Sequence, residues 1–168
     1  MREVKLLSNG NYHVMLTRAG GGYSHSSGIA VTRWHEDTTC DNWGAFCYVR
    51  DRASNKFWST TLQPTRSRAE IFEAEFSAGR ATFTRRDHEI ETQTAIAVSS
   101  EDDIELRRVR ICNRSAAARS IDVTSAAEVV LRTQATDSAH PAFNKLFVET
   151  QIDRELGAIL ATRRPSAA

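Results

Sequence analysis

Hydrophobic side chains recur at every second position over much of this chain, which is the spacing that places them on one face of a β-strand. In residues 11–17, Tyr12, Val14 and Leu16 face one way and the residues between them face the other. In residues 88–99 the same period aligns five side chains on one face: Ile90, Thr92, Thr94, Ile96 and Val98. Both segments are therefore predicted to be half-buried strands.

Further strands follow one another through the second half of the chain, at a spacing of about ten residues. The predicted ranges are 70–76, 80–86, 104–113, 120–131 and 146–152. The alternation of apolar residues shifts by one position between Leu106 and Val109, which predicts a β-bulge. Because no convincing amphipathic helix interrupts the series, the pattern predicts an all-β fold, an antiparallel β-sandwich that forms one domain over residues 1–168.

The first part of the chain, from Leu6 to Pro64, differs from this regular series in its chemistry. It contains all of the tryptophans and tyrosines and the only run of three glycines. An Asn-Gly pair at 9–10 predicts a tight turn, and residues 45–59 predict a hairpin with a longer loop at 51–56. Aromatic, glycine and paired charged residues at this density indicate a shaped surface more than a plain core.

The glycine run at Gly20–Gly22 has two interpretations. Glycines that cost backbone entropy usually mark a close approach by another backbone or a ligand. The same residues could form a flexible turn, and the sequence leaves both interpretations open. A phosphate-binding loop is a poor match, because the run lacks the GxxxxGK[ST] spacing and no helical pattern follows it.

Residues 33–44 form the stretch with the densest chemistry, RWHEDTTCDNWG. Asp37 and Asp41 could be the paired carboxylates of a glycosidase, or loop residues that bond their own backbone and pair with Arg33. His35 beside these acids is only a weak indication of a metal site. Trp34 and Trp43 could anchor the loop, or could stack on a sugar ring whose hydroxyls bond to neighbouring charges.

Composition excludes several classes of function. A net charge of +1 gives no electrostatic footprint for nucleic acid. No apolar run approaches the roughly 20 residues of a membrane helix, and residues 1–10 lack a signal-peptide segment. The three cysteines are odd in number and lack CxxC spacing, so we expect reduced thiols and a cytoplasmic protein.

An ordered set of short motifs resembles the N-terminal part of glycoside hydrolase family 94, formerly glycosyltransferase family 36. The set comprises LLSNG at 6–10, AGGGYS at 19–24, VTRW at 31–34, YVRD at 48–51, AEVVL at 127–131 and HPAFNKLFVET at 140–150. The family includes cellobiose and chitobiose phosphorylases and the C-terminal part of cyclic β-1,2-glucan synthases. The close match of residues 33–44 favours the glucan synthase branch.

The resemblance implies a galactose mutarotase-like supersandwich, of which this chain would be the first part. In the family an (α/α)6 barrel carries the general-acid Asp and binds phosphate, and that barrel does not fit in 168 residues. The chain alone is therefore expected to be inactive, with no catalytic residue, metal or cofactor of its own. Inorganic phosphate or a sugar nucleotide would serve other domains of a parent glycosyltransferase or phosphorylase, which could be associated with the inner membrane.

By motif, the resemblance implies a set of residues that face sugar or frame the mouth of the barrel. They are Tyr23, Arg33, Trp34, Asp37, Asp41, Trp43, Arg50, Asp51 and Asn144. The expected partners are a β-glucan or oligosaccharide, the barrel domain and, because a sandwich cut partway leaves an unpaired edge, a second copy of the chain. The alternatives are a stand-alone carbohydrate-binding or structural module and, less well supported, an independent hydrolase that uses Asp37 and Asp41.

Overall fold

The structure is a computed structural model that describes residues 3–37 and 40–165. Over these residues the chain forms strands almost throughout. In order they are β1 Val4–Ser8, β2 Tyr12–Thr17, β3 Gly22–Ser26, β4 Ile29–Thr32, β5 Ala45–Asp51, β6 Phe57–Ser59, β7 Ile71–Ser77, β8 Arg80–Asp87, β9 Ile90–Val98, β10 Glu105–Asn113, β11 Ile121–Ala127, β12 Val129–Arg132, β13 Val148–Asp153 and β14 Ala158–Arg163. Two short helices, α1 Gln134–Ala139 and α2 Pro141–Lys145, lie between β12 and β13.

The strands form antiparallel sheets, so the predicted all-β class is confirmed. One sheet has the order β1-β2-β3-β4-β12, a second β10-β9-β8-β7, a third β11-β5-β6, and β13 pairs with β14. Strands β7 to β10, which were predicted as consecutive strands, pair in chain order as a simple meander. The turn at Asn9 and Gly10 joins β1 to β2, and the predicted hairpin joins β5 to β6.

A two-layer core holds the sheets together. From the five-stranded sheet, Leu7, Tyr12, Val14 and Leu16 pack against Ala81, Phe83 and Ile96 of the four-stranded sheet. From the three-stranded sheet, Val49 and Trp58 pack against Ile90, which lies on the same face of the four-stranded sheet. The alternation of β9 is confirmed as well, because Ile90, Thr92, Thr94 and Ile96 are buried.

Two details of the predicted strands are wrong. The pairing of β10 with β9 keeps one register from Glu105 to Asn113, so no bulge separates Leu106 from Val109. Leu106 is 57% exposed. The break in the alternation of apolar residues therefore comes from an exposed leucine, and the strand itself does not change face. The single strand predicted over residues 120–131 is two strands in different sheets, because β11 pairs with β5 and β12 pairs with β4.

The remaining elements were absent from the sequence prediction. They are β1, the second half of the β2–β3 hairpin, the two helices and β14. Neither helix in the described part of the chain is long and apolar enough to cross a membrane. The cysteines that the structure describes are free thiols, as their spacing predicted.

Candidate functional site

A cavity lies on the outer face of the five-stranded sheet. Alternation along β2 sends Val14 and Leu16 into the core and Met15 and Thr17 to the opposite face, where they line the cavity. Its volume is about 460 Å³, which lies in the range of small-molecule sites. The described lining residues are Glu3, Val4, Met15, Thr17, Arg18, Ala19, Trp34, His35, Glu36, Asp37, Cys40, Asp41 and Gln63.

The glycine run forms a tight wall behind this cavity. A Cβ atom on Gly22 would lie 1.8 Å from the carbonyl oxygen of Met15, and one on Gly21 would lie 2.1 Å from a carboxylate oxygen of Asp41. The amide of Gly22 also donates to the carbonyl oxygen of Trp43 at 2.8 Å. Of the two interpretations of the run, the structure therefore supports a close approach by another backbone, since residues 41–43 press directly on these glycines.

Asp41 is held in the cavity by this approach. The hydroxyl of Thr17 donates to its Oδ2 atom, while its other oxygen lies against Gly21. Asp37 accepts a hydrogen bond from the amide of Cys40 at 3.1 Å. Thr38 and Thr39, between these two acids, lie outside the described residues. The local backbone bond at Asp37 is the kind that the structural interpretation of this loop predicted.

Two aromatic rings line the cavity, Trp34 and His35, and each lies against a further half-buried ring. Trp34 meets Tyr23 edge-on with ring centroids 5.6 Å apart, and His35 meets Trp43 edge-on at 5.1 Å. Tyr23 also lies 4.8 Å from the ring of His25. Burial lowers the pKa of His25, so its imidazole is disposed to stay neutral at neutral pH. The result is an aromatic wall beside a set of carboxylates.

Arg33 and Asn144 are buried outside the cavity lining. Arg33 donates from Nε and Nη2 to the two oxygens of Asp137, at 2.8 and 2.7 Å. These bonds raise the pKa of Arg33. Asn144 donates to the carbonyl oxygen of Thr136 at 2.9 Å and accepts from Arg163 at 3.1 Å. Any contact of Arg33 or Asn144 with sugar stays a prediction.

Arg50 and Asp51 lie at the β5–β6 hairpin, also outside the cavity lining. Arg50 is exposed and donates to Asn55 at 2.9 Å. Asp51 is buried, and its carboxylate accepts from the Ser54 hydroxyl at 2.5 Å and from Arg119 at 2.9 Å. These two hydrogen bonds lower the pKa of Asp51 to about 2. Both residues therefore have local partners, and their predicted role toward sugar is untested.

Of the nine predicted site residues, the structure brings Trp34, Asp37 and Asp41 together in the cavity wall. Tyr23 lies edge-on to Trp34, and Trp43 lies edge-on to His35, which also lines the cavity. Sequence reasoning missed Met15, Thr17 and Gln63, although the alternation of β2 already placed the first two opposite the core. Among the described residues, no three acidic, histidine or cysteine side chains are grouped closely enough to hold a metal ion.

The family model described as glycosyl hydrolase 94, supersandwich domain, matches residues 1–168. The chain belongs to glycosyl hydrolase family 94. It is also 40% identical over 162 residues to the cyclic β-(1,2)-glucan synthase NdvB of Rhizobium meliloti (strain 1021). That match covers 96% of this chain and 6% of the length of the glucan synthase.

Family membership agrees with the two-layer architecture described above and gives the fold its name, a supersandwich. The chain is homologous to one part of a far longer protein, the glucan synthase named above. The chemistry of the cavity, with aromatic rings beside carboxylates, is the remaining guide to what this supersandwich domain does.

Proposed function

We propose that this chain is a non-catalytic, sugar-binding scaffold domain of a β-glucan-active enzyme. The cavity beside Trp34 holds one end of a gluco-oligosaccharide, and a helical-barrel domain of the parent enzyme supplies the general acid and any phosphate or sugar nucleotide. A cytoplasmic location is part of the same proposal. The observation that carries the proposal is that Trp34, which meets Tyr23 edge-on, lines the same cavity as the carboxylate of Asp41, to which Thr17 donates a hydrogen bond.

The chemistry of a sugar ring matches this wall. One face of a β-linked glucose presents C–H bonds, which pack on the flat face of an aromatic ring. Its edge presents hydroxyl groups, which donate strong hydrogen bonds to ionised carboxylates. Trp34 offers the first kind of contact and Asp37 and Asp41 the second, in a cavity large enough for a small ligand.

Binding explains the cavity better than hydrolysis does. A glycosidase needs one carboxylic acid with a raised pKa and a second carboxylate facing it across the scissile bond. Asp41 instead accepts a hydrogen bond from Thr17, and Asp37 accepts one from the backbone of its own loop. Both carboxylates therefore serve as hydrogen-bond acceptors, which is the role that the hydroxyl groups of a bound sugar require.

The direct test is a titration of the folded chain with β-1,2-gluco-oligosaccharides and, in parallel, cello-oligosaccharides, followed by calorimetry and by NMR. We expect saturable shifts at Trp34, Trp43 and Gly20–Tyr23 with the β-1,2-linked series. Trp34→Ala should weaken binding by roughly tenfold, about 1.4 kcal/mol, through loss of the stacking face. The matched control is Phe57→Ala, because Phe57 is a 63% exposed aromatic outside the cavity lining.

Two results would count against the proposal. A folded sample that gives no saturable shift with either sugar series would mean that these residues serve a contact with another domain. Equal loss of affinity in the Trp34 and Phe57 variants would show that the effect is not local to the cavity.

A further inference from the structure

A buried ion pair joins the chain next to the cavity lining to helix α1. The side chain of Arg33 is 2% exposed and that of Asp137 is 5% exposed, and the two residues are 104 positions apart in the chain. Two parallel N–H to oxygen bonds join them, the geometry that fixes both partners in orientation as well as in distance. Arg33 comes directly after β4, and Asp137 lies in α1.

Arg33 holds more than one element. Its backbone amide donates to the carbonyl oxygen of Glu128 at 2.9 Å, and its Nη1 donates to the carboxylate of the same residue. Its Nη2 donates to the carbonyl oxygen of Pro141 at 3.2 Å. The end of β4, the junction of β11 with β12 and both helices therefore meet at one guanidinium group.

Trp34 follows Arg33 directly in the chain and lines the cavity. Its carbonyl oxygen accepts a hydrogen bond from Nε2 of Gln134 at 2.8 Å. Gln134 is the first residue of α1, so the same helix holds both Arg33 and the backbone of Trp34. Beyond this point the chain has no regular strand through residue 37, and hydrogen bonds to α1 take the place of a sheet ladder.

We propose that α1 is a positioning element for the cavity, with Asp137 and Gln134 as positioning residues that set the orientation of the Trp34 ring. This inference rests on the proposed function, because the ring that is positioned is the proposed stacking face for sugar. It also assigns a role to Arg33 and Asn144. Arg33 acts through Trp34 rather than on the sugar, and Asn144 supports Asp137, whose Oδ1 lies 3.5 Å from its amide nitrogen.

Two variants test the link. Asp137→Asn removes one of the two charge-assisted bonds to Arg33, and Gln134→Ala removes the bond to the Trp34 carbonyl. The readouts are the indole N–H resonance of Trp34 in NMR, the affinity for β-1,2-gluco-oligosaccharides, and the melting temperature. The indole resonance of Trp58, which is 2% exposed in the core, reports whether the fold itself is intact.

A matched control exists elsewhere in the same chain. Arg85 and Asp87 form a second buried pair, with Nε donating to Oδ2 at 2.7 Å and Nη2 to Oδ1 at 3.0 Å. Asp87→Asn therefore perturbs a pair of the same geometry and burial in β8, on the four-stranded sheet. It leaves the bond from Arg85 to the carbonyl oxygen of Thr61 in place.

We expect Asp137→Asn and Gln134→Ala to shift the Trp34 resonance, leave the Trp58 resonance in place, and weaken sugar binding by roughly tenfold. Asp87→Asn should lower the melting temperature at least as much while the Trp34 resonance and the affinity stay unchanged. An unmoved Trp34 resonance in both α1 variants would overturn the positioning role. If the wild-type chain binds no sugar, the proposed function fails, yet the Trp34 resonance still decides whether α1 positions this ring.

Discussion

At the scale of single residues, the cavity depends on positions where a side chain is excluded. Gly22 is the sharpest case, because any Cβ atom there would lie 1.8 Å from the carbonyl oxygen of Met15. The obstructing atom belongs to the paired strand β2, while the amide of the same glycine donates to Trp43 and the neighbouring Gly21 lies against Asp41. A small change at this residue therefore affects both the hairpin and the cavity.

We expect Gly22→Ala to destabilise the protein by about 1–3 kcal/mol, since the added methyl group can be accepted only by moving backbone. Urea denaturation followed by tryptophan fluorescence measures the loss. Gly79→Ala is the control, because a Cβ at Gly79 meets no atom within 4 Å. If the two variants were equally stable, the close approach at Gly22 would not be as tight as described.

A shared sequence motif does not assign the same role to each of its residues. Asp41 and Arg33 belong to the same short stretch and carry charges that suit sugar recognition. Tertiary contacts place Asp41 in the cavity lining, whereas the side chain of Arg33 forms hydrogen bonds with Asp137. No local signal separates these two outcomes, because the partner that captures Arg33 is far away in the sequence.

At the scale of elements, strand β8 is an inner strand of the four-stranded sheet and buries its whole inward face. Its alternate residues Ala81, Phe83, Arg85 and Asp87 are all buried, and Phe83 is fully buried against the five-stranded sheet. The two polar members of this face are tolerated because they pair with each other. The centre of the sandwich is therefore half apolar packing and half a satisfied polar cluster.

Phe83→Ala should cost about 3–5 kcal/mol of unfolding free energy, the sum of lost burial and of the cavity that remains. Phe57→Ala should cost less than about 0.5 kcal/mol, because that ring is 63% exposed. Thermal or urea denaturation of the two variants gives the comparison. Similar losses in both would mean that β8 does not form the centre of the core.

The alternation of side chains along a strand does not show where the chain passes from one sheet to another. Residues 120–131 were predicted as one continuous strand, yet the chain splits at Glu128 between two sheets. The backbone oxygen of Glu128 accepts a hydrogen bond from Arg33, and its carboxylate pairs with Arg33 and with Lys145 where the chain changes partner. Side chains alternate between the two faces of a strand in the same way before and after such a junction. The alternation in the sequence therefore could not reveal that the chain passes from one sheet to another.

At the scale of the whole molecule, the sandwich has an open side. Val123 of β11 lies beside the fully buried Val49 and on the same face, yet it is 51% exposed. Strand β10, which carries the exposed Leu106, is an edge of the four-stranded sheet, and β11 is an edge of the three-stranded sheet. Apolar side chains next to unpaired strand edges favour association.

We expect the isolated chain to form dimers or larger oligomers through this side. Val123→Lys should shift the population toward monomer, because it places a charge on the face that a second copy would cover. Thr124→Lys, on the opposite face of the same strand, should leave the association unchanged. Sedimentation velocity over a range of concentrations measures both, and a wild-type chain that stays monomeric at high concentration would contradict the prediction.

The sequence by itself determined the fold class, the faces of β2 and β9, the β5–β6 hairpin and the consecutive strands β7 to β10. These features follow from the two-residue pleat of a strand and from turn residues, which act over a few positions. Only the tertiary structure decided that β12 pairs with β4, that Asp137 forms an ion pair with Arg33, and that Asp41 packs against Gly21. Each of these joins segments that are distant along the chain, and their choice of partner depends on packing and on the pairing of buried charges.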